Sequence, residues 1–255
     1  MPDLTPLEPP TFTQALNLEK APITTASTEK YISTFPALSF DYAPGQPLSV
    51  NRSYGGHVFA QAIWAASQRI KDSGLRVHEA NGYWTLGGYA NRPFIYEVKT
   101  LSLTRSFALR EVIARQPTTA SDACPFSVSD AEKELGPVAF VLTCSFKLRE
   151  RERGQGYWVG FEKERYGGVM HKEISSHPAH VYLKGPSGVG QIKLADFPGI
   201  DIRTPVLEGY NQKKKGTEHR RLHTYRAFES TKNHLTPNTG TDPNLIAAMH
   251  AYVSD

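Results

Sequence analysis

Tyr54-Gly55-Gly56-His57-Val58-Phe59-Ala60-Gln61-Ala62-Ile63-Trp64-Ala65-Ala66 is the stretch that decides the fold. A pair of glycines opens into an apolar run. Phe59, Ala62, Ile63, Ala66 and Ile70 recur at helical spacing, which predicts a helix over about Gly56 to Asp72. Val58, Ala60, Trp64 and Ala65 fill most of the remaining circumference, and a helix apolar nearly all round is a buried one. Its alanines let a sheet wrap close to the backbone. Arg69 and Lys71 sit at the end that favours cations, and Gly74 can supply a left-handed stop. Gly55 and Gly56 admit two readings. They leave backbone N–H groups bare at the positive helix end, where an anion or a developing oxyanion is stabilised. Alternatively, they only permit tight packing.

Working outward, the flanking segments alternate as strands do. Val77 to Leu86 would place His78, Ala80, Gly82, Trp84 and Leu86 on one face, with His78 a satisfied core histidine. Phe94, Tyr96 and Val98 share a face, and Phe107, Leu109 and Ile113 alternate with Ala108, Val112 and Ala114. Val138 to Leu148 is the strongest strand, and Cys144 falls on its core face with Phe140, Leu142, Phe146 and Leu148. A short first strand is expected at Leu38 to Tyr42. Sequential strands with short connections argue for an antiparallel sheet. The expected class is α+β, with one antiparallel sheet wrapped around a central helix, the hotdog arrangement. Pro117 to Gly136 is a polar insertion, expected as a surface loop.

The rest of the chain divides by composition. Residues 1–34, rich in Pro, Thr and Ser, are expected to be an N-terminal arm, and residues 35–150 the first hotdog domain. Residues 151–200 begin after the charged run Glu150-Arg151-Glu152-Arg153 and are read as an inter-domain linker. Residues 201–255 then start a second pattern. Pro205 to Tyr210 and His219 to Phe228 look like strands. Asp242 is a good N-cap and Pro243 suits the first helical position of a helix with Leu245, Ala248, Met249 and Tyr252 on its apolar face. This is expected to be a partial second hotdog that leaves apolar faces and strand edges open, so the segment from Pro205 onward is expected to be poorly ordered, oligomer-dependent or aggregation-prone.

The 255 residues allow one or two domains, and the 39% hydrophobic content can build a core. A net charge of +4 is too small to argue for nucleic acid. Two cysteines make no disulfide framework, no apolar run spans a bilayer, and no secretory leader is evident. An intracellular soluble protein, forming a homo-oligomer, is expected.

Several segments together resemble the type II acyl-CoA thioesterases, a double-hotdog family. They are Tyr54-Gly55-Gly56-His57 into Ala60-Gln61-Ala62; Val77-His78 with Tyr83-Trp84; Pro93-Phe94-Ile95-Tyr96-Glu97-Val98; Thr104-Arg105-Ser106-Phe107-Ala108 with Arg110-Glu111-Val112; and Ala139-Phe140 with Ser145-Phe146-Lys147. His250-Ala251-Tyr252-Val253-Ser254-Asp255 resembles the family's "Y-x-S-D" helix of the second hotdog. The resemblance implies hydrolysis of fatty acyl-CoA to free acid and CoA, with no cofactor or metal. It implies that Asp255 is the catalytic aspartate, working with a hydroxyl residue and a glutamine supplied later in the second sheet. Those two would lie beyond Asp255, so the chain is expected to be C-terminally truncated and catalytically weak by itself. The bland reading of Asp255 is a solvated terminal carboxylate. Asn81 departs from a second histidine found in many members. The implied compartment is the cytoplasm or the peroxisomal matrix.

Gly55, Gly56 and His57 are the candidates for oxyanion and substrate binding. His57 could meet a substrate carbonyl, or simply hydrogen-bond a neighbouring strand. Gly185-Pro186-Ser187-Gly188-Val189-Gly190 lacks the Lys-Ser/Thr of a phosphate loop, and position 189 is not the serine of a hydrolase elbow. No His-Glu-x-x-His pattern supports a metal. Two further readings compete with the thioesterase: a non-catalytic acyl-CoA binder or assembly subunit, and a hotdog hydratase. The second wants a carboxylate on the first helix, which has none through Lys71.

Overall fold

The computed structural model describes residues 12–25, 28–39, 52–148, 182–184, 191–193, 200–203, 215–218, 224–227 and 242–254. The chain forms two compact units, residues 1–149 with 238–255, and residues 150–237.

The first unit is built on helix α2, Gly55–Ser67, preceded by the short helix α1, Phe12–Ala15. Beyond Ser67 the chain tightens into a 3₁₀ turn, Gln68–Ser73, and Gly74 ends it at φ 75°. That is the left-handed stop the sequence offers. Six strands form one antiparallel sheet: β1 Leu18–Thr25, β2 Thr28–Ser33, β3 Leu75–Trp84, β4 Ile95–Leu103, β5 Phe107–Pro117 and β6 Leu135–Leu148. Their order is β1-β2-β4-β5-β6-β3, an antiparallel hotdog sheet against a helix. Register sorts the side chains. Ala108, Val112 and Ala114 of β5 and Phe140, Leu142, Cys144 and Phe146 of β6 are buried. On the other face, the opposed pairs Glu97–Lys30 and Glu111–Lys99 set opposite charges across strands.

Three expectations are corrected. Residues 18–33 are not a loose arm but a hairpin that extends the sheet through β2–β4 pairing. Leu38 and Ser39 are not in a strand, and the rest of the expected strand Leu38 to Tyr42 lies outside the described residues. His78 is exposed, because a bulge between Val77 and Glu79 takes it out of the alternation. Ala80, Gly82 and Trp84 keep their expected face, opposite Cys144, Leu142 and Phe140. The insertion after β5 is anchored: Phe126 is buried with its N–H on the Thr34 carbonyl at 2.7 Å, and Asp130 is buried between Ser121 and Lys133.

The last helix, α3, spans Pro243–Ser254. Asp242 caps it as expected, its carboxylate accepting from the Asn244 N–H at 2.8 Å. Ala248 and Tyr252 are fully buried and Leu245 and Met249 nearly so. The apolar face expected to lie open is instead laid against α2. Asn244 clips the start of α3 to β3: its amide donates to the Leu75 carbonyl (3.2 Å) and accepts from the Val77 N–H (2.9 Å). Tyr252, two turns on, meets the start of α2, so the two helices run antiparallel. The sequence placed this helix within residues 201–255; its packing partners are α2 and β3.

In the second unit, β9 Ile200–Arg203 pairs with β10 Thr224–Ala227, inside the strand expected over His219 to Phe228. β7 Tyr182–Lys184 pairs with β8 Gln191–Lys193, within the stretch read as a linker. Pro205 to Tyr210 lies outside the described residues. Among described residues no helix is long and apolar enough to cross a membrane, and no cluster of three metal-ligating side chains occurs.

Candidate functional site

The start of α2 is where the sequence candidates meet the end of α3. Tyr54 is the N-cap residue, with extended backbone and no side-chain cap of its own. Its N–H bonds the Leu38 carbonyl at 2.6 Å. Its hydroxyl donates instead across to α3, to the Tyr252 carbonyl at 2.9 Å. The negative end of one helix dipole therefore abuts the positive end of the other.

Gly55 is half-buried and Gly56 buried. A Cβ on Gly56 would lie 2.6 Å from the Tyr252 carbonyl oxygen and 2.8 Å from the Tyr54 ring and hydroxyl. No side chain fits there. Gly56 is thus the point of closest approach between the two helices, the packing reading of the glycine pair, while Gly55 stands at the more open edge of the first helical turn. The first N–H groups of α2 lack intrahelical partners by geometry, so this turn is the donor-rich end.

His57 is 1% exposed. Its Nδ1 accepts from the Leu38 N–H at 3.2 Å, which puts the proton of the neutral ring on Nε2. Burial drives its pKa down to about 4, against a smaller upward pull from the Ala15 carbonyl. The ring is neutral at physiological pH and holds the segment before α2 in place. It takes the bonding role of the two read from sequence.

Tyr252 is the hub of this junction. Its ring lies 5.5 Å from Phe12, 5.9 Å from Tyr54 and 5.6 Å from His57. Burial, then the neighbouring Tyr54, push its pKa well up, so its hydroxyl stays protonated. Asp255 lies outside the described residues.

Sequence reasoning missed two buried polar groups that support α2. Gln61 donates to the Ala15 carbonyl (2.9 Å) and accepts from the Tyr96 hydroxyl (2.8 Å). Arg110 is fully buried, donating to the Ala66 carbonyl at 2.6 Å and pairing with Glu29 at 2.6 Å. A polar residue on an otherwise apolar face was the available signal for both. Tyr54 was quoted only as part of a motif; its hydroxyl gains meaning from a partner 198 residues away.

Residues 45–130 match the acyl-CoA thioesterase N-terminal domain family. A search of curated proteins found no match. Among solved structures the chain is similar to the tesB protein of Mycobacterium avium subsp. paratuberculosis, at 20% identity and a TM-score of 0.52. The likeness covers 95% of this chain and 67% of that one. It is also similar to the acyl-CoA thioesterase II TesB2 of Mycobacterium marinum, at 18% identity and a TM-score of 0.49, over 95% of this chain and 67% of that one. At 20% identity the first likeness is one of fold alone, and that fold is the hotdog.

Proposed function

We propose, from the match of residues 45–130 to the acyl-CoA thioesterase N-terminal domain family, that the chain hydrolyses fatty acyl-CoA to free acid and CoA by attack of water on the thioester. The observation that carries this reading is the junction of α2 and α3. Helix-start donors at Gly55 lie beside the end of α3, where the Tyr54 hydroxyl holds the Tyr252 carbonyl. Asp255 follows Tyr252 by three residues, a length of chain that reaches at most about 11 Å. In this scheme the Asp255 carboxylate takes a proton from the attacking water, while N–H groups of the first turn steady the oxyanion. His57 supports the site in this scheme and transfers no proton. In this reading residues 201–255 begin a second hotdog with α3 as its central helix, and the first includes the hairpin of residues 18–33.

The test is thiol release from a panel of acyl-CoA esters by the purified chain, with and without a C-terminal extension carrying the strands expected beyond Asp255. Turnover that falls by 10²-fold or more in Asp255→Ala, with the fold intact by circular dichroism, supports the proposal. Acyl-CoA binding without turnover favours the non-catalytic binder and overturns it.

A further inference from the structure

Just before α2, two arginines share one tyrosine. The guanidinium carbon of Arg52 lies over the Tyr89 ring, 5.0 Å from its centroid, and that of Arg92 lies 4.8 Å from the same centroid. The two cations can be no farther apart than those two distances combined. Among the described residues neither forms an ion pair with a carboxylate; the ion pairs there use Lys20, Arg110 and Lys133. Two like charges brought to one ring make a local positive field that favours an anion.

The arrangement is also built. Residues 52 and 53 pair with the loop that carries Tyr89, through an Arg52–Tyr89 bridge and the Ser53 N–H on the Gly88 carbonyl at 3.0 Å. The Gln116 side chain fixes the same loop from the other side. Its Oε1 accepts from the Tyr89 N–H, and its Nε2 donates to the carbonyls of Tyr89 and Arg92, all at 2.8 Å. A Cβ at Gly88 would collide with Phe94 and with Ser53 Oγ, so the close approach of the two segments needs glycine. Each arginine spends one N–H on a carbonyl, Arg52 on Gly87 (3.5 Å) and Arg92 on Pro117 (3.1 Å). Arg92 Nε and Ser53 Oγ are buried and have no hydrogen-bond partner among the described residues. Unspent guanidinium donors on a rigid loop, stacked on an aromatic ring, match the planar, bidentate recognition of phosphate oxygens.

We infer that Arg52 and Arg92 form a phosphate-binding subsite that takes the CoA portion of the substrate. The inference rests on the acyl-CoA reading above. Arg52 is three residues from Gly55, so the subsite adjoins the helix start proposed to face the thioester, and the pantetheine arm would bridge the two.

The experiment uses calorimetric titration of the full chain with CoA, with pantetheine as the phosphate-free ligand and inorganic pyrophosphate as competitor. Arg52→Gln and Arg92→Gln are each expected to weaken CoA about tenfold, leave pantetheine unchanged and reduce the salt dependence of CoA binding. Pyrophosphate displaces CoA in the parent. Should Arg92→Gln disturb its loop, the exposed Arg52→Glu gives the answer alone, by abolishing CoA binding while the thermal transition is kept. CoA affinity within twofold of the parent in both Arg52 variants, or no CoA binding by the parent, overturns the inference. Arginine-dependent CoA binding without thiol release defeats the thioesterase reading and leaves the subsite standing. Thiol release that is indifferent to both arginines does the reverse.

Discussion

Glu29→Gln keeps the shape of the side chain and removes the charge that faces Arg110. The guanidinium is fully buried beneath the last turn of α2, with one nitrogen on the Ala66 carbonyl and another on Glu29, each at 2.6 Å. Breaking a buried pair by removing one partner typically costs about 3–5 kcal/mol, because the surviving charge is left uncompensated. Here Arg110 keeps its carbonyl, and glutamine can still accept a hydrogen bond, so the lower end, about 3 kcal/mol, is expected. For a domain of this size that is a fall in melting temperature of about 6–12 °C. The assay is urea unfolding at pH 7, read as a shift in midpoint at constant slope. Burial pushes the Glu29 pKa up, but the hydrogen bond and charge of Arg110, then Lys20, outweigh it and leave the pKa below 4.5. A depressed carboxylate pKa means stability present above the unfolded value and lost as pH falls through the folded one. The loss in the variant is therefore full at pH 7 and shrinks in acid. Adding Arg110→Met should recover part of it, since a neutral amide beside an apolar side chain replaces a stranded charge. A loss below about 1 kcal/mol at pH 7, or a double variant less stable than either single one, would refute the reasoning.

Two other perturbations probe the helix junction. Gly56→Ala sets a Cβ 2.6 Å from the Tyr252 carbonyl; overpacking of this kind costs about 1–3 kcal/mol. Raised hydrogen exchange confined to 243–254 should accompany that loss, and an alanine variant as stable as the parent would show that the helices do not meet there. His57 has a folded pKa of about 4 against an ordinary 6.5, so the unfolded chain takes up its proton first. Stability should then be complete above pH 6.5 and decline toward pH 4 by at most about 3 kcal/mol. Unfolding of the parent and of His57→Gln at pH 7 and pH 4.5 checks this, since the glutamine variant should lack that part of the decline.

The helix of Gly55–Ser67, the four strands that follow it, the stop at Gly74 and the Asp242 cap were all legible in the sequence. Each is specified locally, by spacing of apolar residues or by one capping side chain, and local rules need no partner. What lay outside such rules had to wait for tertiary structure. The hairpin of residues 18–33 is polar and short in pattern, and becomes a sheet edge only because β4 offers it a free row of backbone groups. A bulge turned His78 outward, and no periodicity reveals where a strand gains one residue. Arg110 and Gln61 look like surface residues until Glu29, Ala66, Ala15 and Tyr96 are found around them. Likewise the twin glycines admit both an anion site and a close contact by sequence. It took the carbonyl of Tyr252, nearly two hundred residues along, to show that Gly56 is bare because another backbone lies where its side chain would be. Contacts between distant segments depend on how surfaces fit, and that is a property of the folded chain alone.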